Sequence, residues 1–198
     1  MSTLLAEGGF KDTAFSAQAV FRRVMDAFSR PGTIVSLDGF CAPPPRLGMA
    51  TGAFLLALSD YDTPVWLEDP DLRASCAAWL GFQTGAPLAS KAASAAFAVL
   101  APSTLSARWA AFAKGESAYP DRSTTLILPV SAFAGGPSLI LKGPGIEHEV
   151  RIAPLGLVPD FVAAQAANRA LFPLGHDLLL TCGGQALALP RTTMIEEG

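Results

Sequence analysis

Only two histidines, His148 and His176, are available to this 198-residue chain for proton transfer or for nitrogen ligation of a metal. On a strand, Glu147 and Glu149 would face one side and His148 the other, so the EHE triplet is a poor ligand set for a single ion. His176 follows Gly175 at a strand entrance, without an HxxxH or CxxC companion. A Ser-His-Asp or Cys-His site would have to use one of these two imidazoles, yet neither has a nucleophile motif beside it and GxSxG is absent. The expectation is a chain with no metal site and no catalytic residues of its own.

Other polar constellations have two readings each. Asp60 with Asp62, and Glu68 with Asp69 and Asp71, could bind a cation or act as an acid and a base. Loop entries and helix N-termini favour the same residues, the latter because the helix dipole stabilises negative charge, so capping is the expectation. In LKGPGIEHE the order of glycine-rich amides followed by Lys and Ser or Thr is missing, and Pro144 removes an amide; it reads as a hairpin turn rather than a phosphate loop. Arg22, Asp26 and Arg30, four residues apart, form either a solvated ladder or a grip for phosphate or a partner's carboxylates. After Pro190, the succession Arg191, Thr192, Thr193 could hold a phosphate, contact another protein or close the edge of a sheet.

The elements that must position these residues follow from pattern. A helix is expected from Asp12 or Thr13 to about Arg30, where Pro31 and Gly32 end it. Ala17, Phe21, Val24, Met25 and Phe28 form its apolar stripe, opposite the Arg22 ladder. Further helices are expected from Met49 to Ser59, from Pro70, from Ser103 to a stop at Gly115, and from Pro159 to about Leu171. Strands are expected at Thr33 to Leu37, within Asp62 to Leu67, and at Phe97 to Leu100, Thr124 to Val130, Ser138 to Gly143 and Ile146 to Ile152. APPPR, from Ala42 to Arg46, must be an extended connection. DLLLTC and QALALP, separated by Gly183 and Gly184, form a hairpin, since both glycines accept positive φ. Helices alternating with short strands and then hairpins imply an α/β fold with a mixed sheet, in one domain over residues 1–198.

Composition excludes several classes. Charged residues are 16% of the chain, below the roughly 25% usual for soluble domains, and hydrophobic residues reach 51%; alanine bias and a subunit interface both explain that balance. A net charge of −3 with scattered cations argues against a nucleic-acid groove. Apolar runs fall far short of the roughly 18 residues needed to span a bilayer. MSTLLAEGGFKD lacks a basic region followed by an apolar stretch, so no secretory signal is read and cytoplasmic location is the default. Cys41, Cys76 and Cys182, without CxxC spacing, read as buried reduced thiols.

Five stretches together resemble one family: FRRVMDAFSRPGTIVSL (Phe21 to Leu37), LSDYDTPVWL (Leu58 to Leu67), TLILPV (Thr125 to Val130), GPGI (Gly143 to Ile146) and FPLGHDLLLTCGGQALALPRTT (Phe172 to Thr193). In order and spacing they look like PhnH, the H subunits of the bacterial carbon–phosphorus lyase core complex; the loops around Pro43–Pro45 and Ser117–Asp121 lie outside the likeness. The resemblance implies a three-layer α/β sandwich similar to the pyridoxal-phosphate transferase fold but without the cofactor. It implies a non-catalytic, architectural subunit working with G, I and J subunits in phosphonate catabolism, homodimeric when alone. Their complex exchanges the adenine of ATP for methylphosphonate, giving alpha-D-ribose 1-methylphosphonate 5-triphosphate. The chemistry of that family is assigned mainly to the I subunit, and later C–P cleavage to the iron–sulfur J subunit. None of Lys11, Lys91, Lys114 and Lys142 lies in a Schiff-base motif, in keeping with a cofactor-free chain. Arg22, Arg30, Arg191, Thr192 and Thr193 are the candidate binding or interface residues, with a neighbouring subunit favoured as the contact of the last three. The alternative is that the chain binds a nucleotide or phosphonate through Arg191, Thr192 and Thr193 and takes a direct part in the transfer.

Overall fold

The computed structural model describes residues 7–198. MSTLLA, the first half of the stretch read for a signal, lies outside the described residues. Helix α1 (Thr13–Ser29) begins where the Asp12 carboxylate accepts the Phe15 N–H at 3.2 Å, satisfying one of the donors that a helix start leaves unpaired. It closes with the Arg30 N–H donating to the Asp26 carbonyl before Pro31 breaks the ladder. Strand β1 (Ile34–Ser36) follows. Helix α2 (Met49–Leu58) has every residue from Ala50 to Leu55 buried, so it shows no amphipathic stripe. After β2 (Val65–Leu67), the Asp69 carboxylate accepts the Asp71 and Leu72 N–H groups, and Pro70 opens α3 (Pro70–Thr84). The capping reading of the acidic EDPD stretch is thus realised at Asp69.

Strands β3 (Phe97–Val99), β4 (Lys114–Glu116), β5 (Tyr119–Ser123), β6 (Thr125–Pro129), β7 (Leu139–Lys142) and β8 (Val150–Ile152) come next, followed by helix α4 (Phe161–Arg169). The chain ends on β9 (Leu178–Cys182), β10 (Gln185–Leu189) and β11 (Met194–Glu197). The main sheet has six strands in the order β1-β10-β9-β6-β3-β2. Its first two pairings are antiparallel and the remaining three parallel, so the sheet is mixed, as the α/β reading requires. β7 pairs with both β11 and β8 in a three-stranded antiparallel sheet, and β4 and β5 form a hairpin of their own.

Alternation along β10 shows how the core divides. Ala186 and Ala188 face a cluster with Val20 and Val24 of α1, Phe54 and Leu55 of α2, and Trp79 of α3. Leu187 and Leu189 point the other way, into a cluster with Trp109, Phe161, Leu141 and Ile195. Small side chains on one face let helices approach closely, while leucines fill the wider space beneath the second sheet and α4.

Three local readings are corrected. The Ser103–Gly115 stretch is not an α-helix: a 3₁₀ segment covers only Ser106–Ala111, and Lys114–Glu116 is a strand. Tertiary packing decides this, because Trp109 and Phe112 are drawn into the core and the Trp109 ring meets Phe161 edge-to-face at 6.1 Å. Gly115, at φ 79, sits inside the β4–β5 irregularity, where an added Cβ would lie 2.7 Å from the Pro120 carbonyl oxygen. The strand expected from Ile146 begins only at Val150, leaving Glu147 and His148 exposed and off the sheet. Among the cysteines, Cys41 and Cys76 are buried, but Cys182 is half-exposed where its strand ends.

Candidate functional site

The outward side of α1 is apolar as well as charged. Its buried residues are Val20, Val24 and Ala27, so the core takes only part of the expected stripe. Phe21 and Met25 are left 46% and 48% exposed, and Phe15 reaches 74%. A helix apolar on its core side and again on its solvent side has one face more than the fold needs. Arg22 lies among these exposed groups and makes no ion pair among the described residues. Arg30 is paired to Asp26 at 3.0 Å, with both side chains more than half exposed, so that ladder is a solvated one. The neighbouring Arg23 turns back instead, donating to the Ser36 carbonyl and lying 4.9 Å over the Phe40 ring.

The Arg191 turn is built differently. The Arg191 side chain is only 12% exposed, and its Nη2 lies 2.7 Å from Asp177 Oδ2. Its backbone N–H and its Nε both donate to Asp177 Oδ1, at 2.8 and 3.1 Å. Nη1 donates to the carbonyls of Pro120 and Pro173, and Nη2 also to the Ser123 hydroxyl. The guanidinium thus fastens three elements together: β5, the Phe172–Gly175 turn and the entrance of β9. Thr193 is buried, its N–H donating to the Pro190 carbonyl and its own carbonyl accepting from Gln165 Nε2. Thr192 stays half-buried, and its carbonyl accepts from Arg169 Nε at 3.3 Å.

Beneath this turn lies a polar seam. Asn168 Nδ2 donates to Gln165 Oε1 and to the His176 carbonyl, and the His176 N–H donates back to Asn168 Oδ1 at 2.7 Å. The His176 ring meets the Thr124 carbonyl through Nδ1 at 3.2 Å. Burial holds its proton affinity below the ordinary histidine value, outweighing the Thr124 carbonyl, with Lys114 and Arg191 acting in the same direction. The imidazole is therefore a neutral structural group at neutral pH. Among the described residues, no group of three or more His, Cys, Asp or Glu side chains is placed to hold a metal.

The structure does not gather the candidate residues into one site. Arg22 and Arg30 sit on the helical layer, whereas Arg191, Thr192 and Thr193 lie beside α4 in the opposite one. Sequence reasoning missed Asp177 as the partner that decides where Arg191 points. Its only signal was a carboxylate just ahead of an apolar strand.

Comparison with known proteins decides what kind of chain carries these two features. The model of the bacterial phosphonate metabolism protein family, PhnH, matches residues 8–196. This chain belongs to the PhnH family. It is 47% identical over 189 residues, 96% of this chain and 94% of the relative, to a Rhizobium meliloti protein named alpha-D-ribose 1-methylphosphonate 5-triphosphate synthase subunit PhnH. It is also 36% identical over 187 residues, 90% of this chain and 85% of the relative, to HtxG of Stutzerimonas stutzeri, named as a candidate C-P lyase subunit protein. The PhnH match covers every element described above except the last residues of the chain. No helix of the described residues is long and apolar enough to cross a membrane.

Proposed function

We propose that this chain is a non-catalytic, architectural subunit of a carbon–phosphorus lyase core complex. In that role it supports formation of alpha-D-ribose 1-methylphosphonate 5-triphosphate from ATP and methylphosphonate. The observation that carries this reading is the 47% identity to a PhnH synthase subunit along almost the whole of both chains. Its partners are the G, I and J subunits, it forms a homodimer when alone, and it works in the cytoplasm as one domain without a cofactor. The mixed six-stranded sheet, clothed by helices on one face and by a smaller sheet with α4 on the other, supports the three-layer likeness to pyridoxal-phosphate transferases. Likeness of fold does not carry their chemistry with it.

The surface we assign to a partner subunit is the outward side of α1. Phe21 and Met25 supply apolar area there, and Arg22 supplies a cation free to meet a partner carboxylate. In the second candidate region, Arg191 supports the turn from beneath, Thr193 anchors it, and Thr192 retains surface for a neighbour. Affinity capture of the tagged chain after coexpression with G, I and J subunits tests the reading. An eluate lacking all three would reject it.

A further inference from the structure

A cavity of about 300 Å³ opens at the carboxyl ends of β3, β6 and β9, the three strands that run parallel in the middle of the main sheet. That edge is where open α/β sheets bind their ligands. Its lining includes Arg46, Gly48, Thr51, Asp69, Thr181 and Gly183.

The polar groups of this lining are short of acceptors. Helix α2 starts here at Gly48 without any side-chain cap. The Gly183 carbonyl takes the Ala50 N–H, while the N–H groups of Met49 and Thr51 have no acceptor among the described residues. Thr51 and Thr181, 2% and 3% exposed, face each other with hydroxyl oxygens 3.0 Å apart. Only one of the two can donate across that contact, and neither hydroxyl has another hydrogen bond among the described residues. One buried O–H is therefore left without an acceptor. Asp69 does not fill the need, since one oxygen caps α3 and the other meets Arg46 at 3.2 Å. Arg46 also pairs with Asp71 at 2.8 Å.

From this excess of donors we infer that the cavity binds a small oxyanion, with the first turn of α2 and the Thr51–Thr181 hydroxyls as its donors. Phosphate, phosphonate and carboxylate groups share the chemistry that such a site recognises. Arg46, shared between Asp69 and Asp71 at the rim, offsets part of the negative charge there, and the donors of the cavity must outweigh the remainder. The site is separate from the α1 face, so assembly and anion binding can each fail without the other.

The test is a titration of the ¹⁵N-labelled full chain with inorganic phosphate, methylphosphonate and acetate at constant ionic strength, with chloride as the control. The expected result is a saturable shift of the Met49, Thr51 and Gly183 amides with at least one of the three anions, the strongest of them naming the source. Thr181→Val should weaken that binding about tenfold, the loss of one hydrogen bond to a charged group, and Thr51→Ala serves where Thr181→Val does not keep the wild-type spectrum. Absence of saturation with all three anions, shifts confined to Arg191–Thr193, or unchanged affinity in a folded threonine variant would each overturn the inference.

Discussion

Arg191 and Asp177 form a three-point contact: the arginine's backbone N–H, its Nε and its Nη2 all converge on one carboxylate, at 2.8, 3.1 and 2.7 Å. Because the Arg191 side chain is largely removed from solvent and also holds two carbonyls and a hydroxyl, its loss strands several acceptors at once. Arg191→Ala should lower unfolding stability by roughly 3 kcal/mol, with Arg191→Lys intermediate because an ammonium cannot reproduce the planar fork. Urea unfolding followed by circular dichroism checks this. Wild-type stability in Arg191→Ala, together with lost assembly, would instead make Arg191 a contact residue.

His176 makes stability depend on pH in a defined direction. Its folded-state proton affinity lies below the ordinary value of 6.5, so as pH falls below 6.5 the unfolded chain takes up a proton that the folded chain resists. Stability should therefore decline from about pH 6.5 downward until the folded form also protonates. His176→Gln should flatten this part of the profile, whatever it costs at neutral pH. Melting temperatures of both proteins between pH 5 and 8 provide the comparison.

The two glycines of the β9–β10 turn should respond differently to substitution. Gly183 has φ 55 and open space around an added Cβ, so Gly183→Asn should cost only a few tenths of a kcal/mol. At Gly184 a Cβ would lie 2.6 Å from the Cβ of Asp38, and Gly184→Ala should cost about 1–3 kcal/mol by forcing the neighbouring loop aside. Thermal unfolding of the two single variants measures the contrast. Equal cost at the two positions would contradict the geometry.

Thiol reactivity should rank by environment. Burial pushes the Cys41 thiol up to about 11 and raises that of Cys76 as well, which leaves little thiolate at either. Cys182, half-exposed, should be alkylated first by iodoacetamide at pH 8. Peptide mass spectrometry over time reads the order directly, and earlier labelling of Cys41 would count against this packing.

Those same residues show what was legible in the sequence. Local chemistry was: Asp12 and Asp69 cap helices, Pro70 opens one, and Gly183 turns the hairpin at φ 55, because each acts through its own backbone neighbours, whereas Gly184 does not take the positive φ expected of both glycines. What depends on a distant partner was not. The need for Gly184 comes from Asp38, the orientation of Arg191 from Asp177, and the breakdown of the Ser103–Gly115 helix from the burial of Trp109 and Phe112. On α1 the periodicity located the helix but not its inner face. Phe21 and Met25 fit the apolar stripe as well as Val24 does, and only the packing against β10 shows which of them remain outside.

Membership of a multisubunit assembly is tested most directly by native mass spectrometry of the chain coexpressed with G, I and J subunits, wild type beside a Phe21→Ser/Met25→Ser variant. The expected spectrum shows the wild-type chain in one stable complex with the other subunits, and the folded double variant released from it. A wild-type chain found only free of those subunits would contradict the proposed function; a double variant that assembles unchanged would remove α1 as the contact.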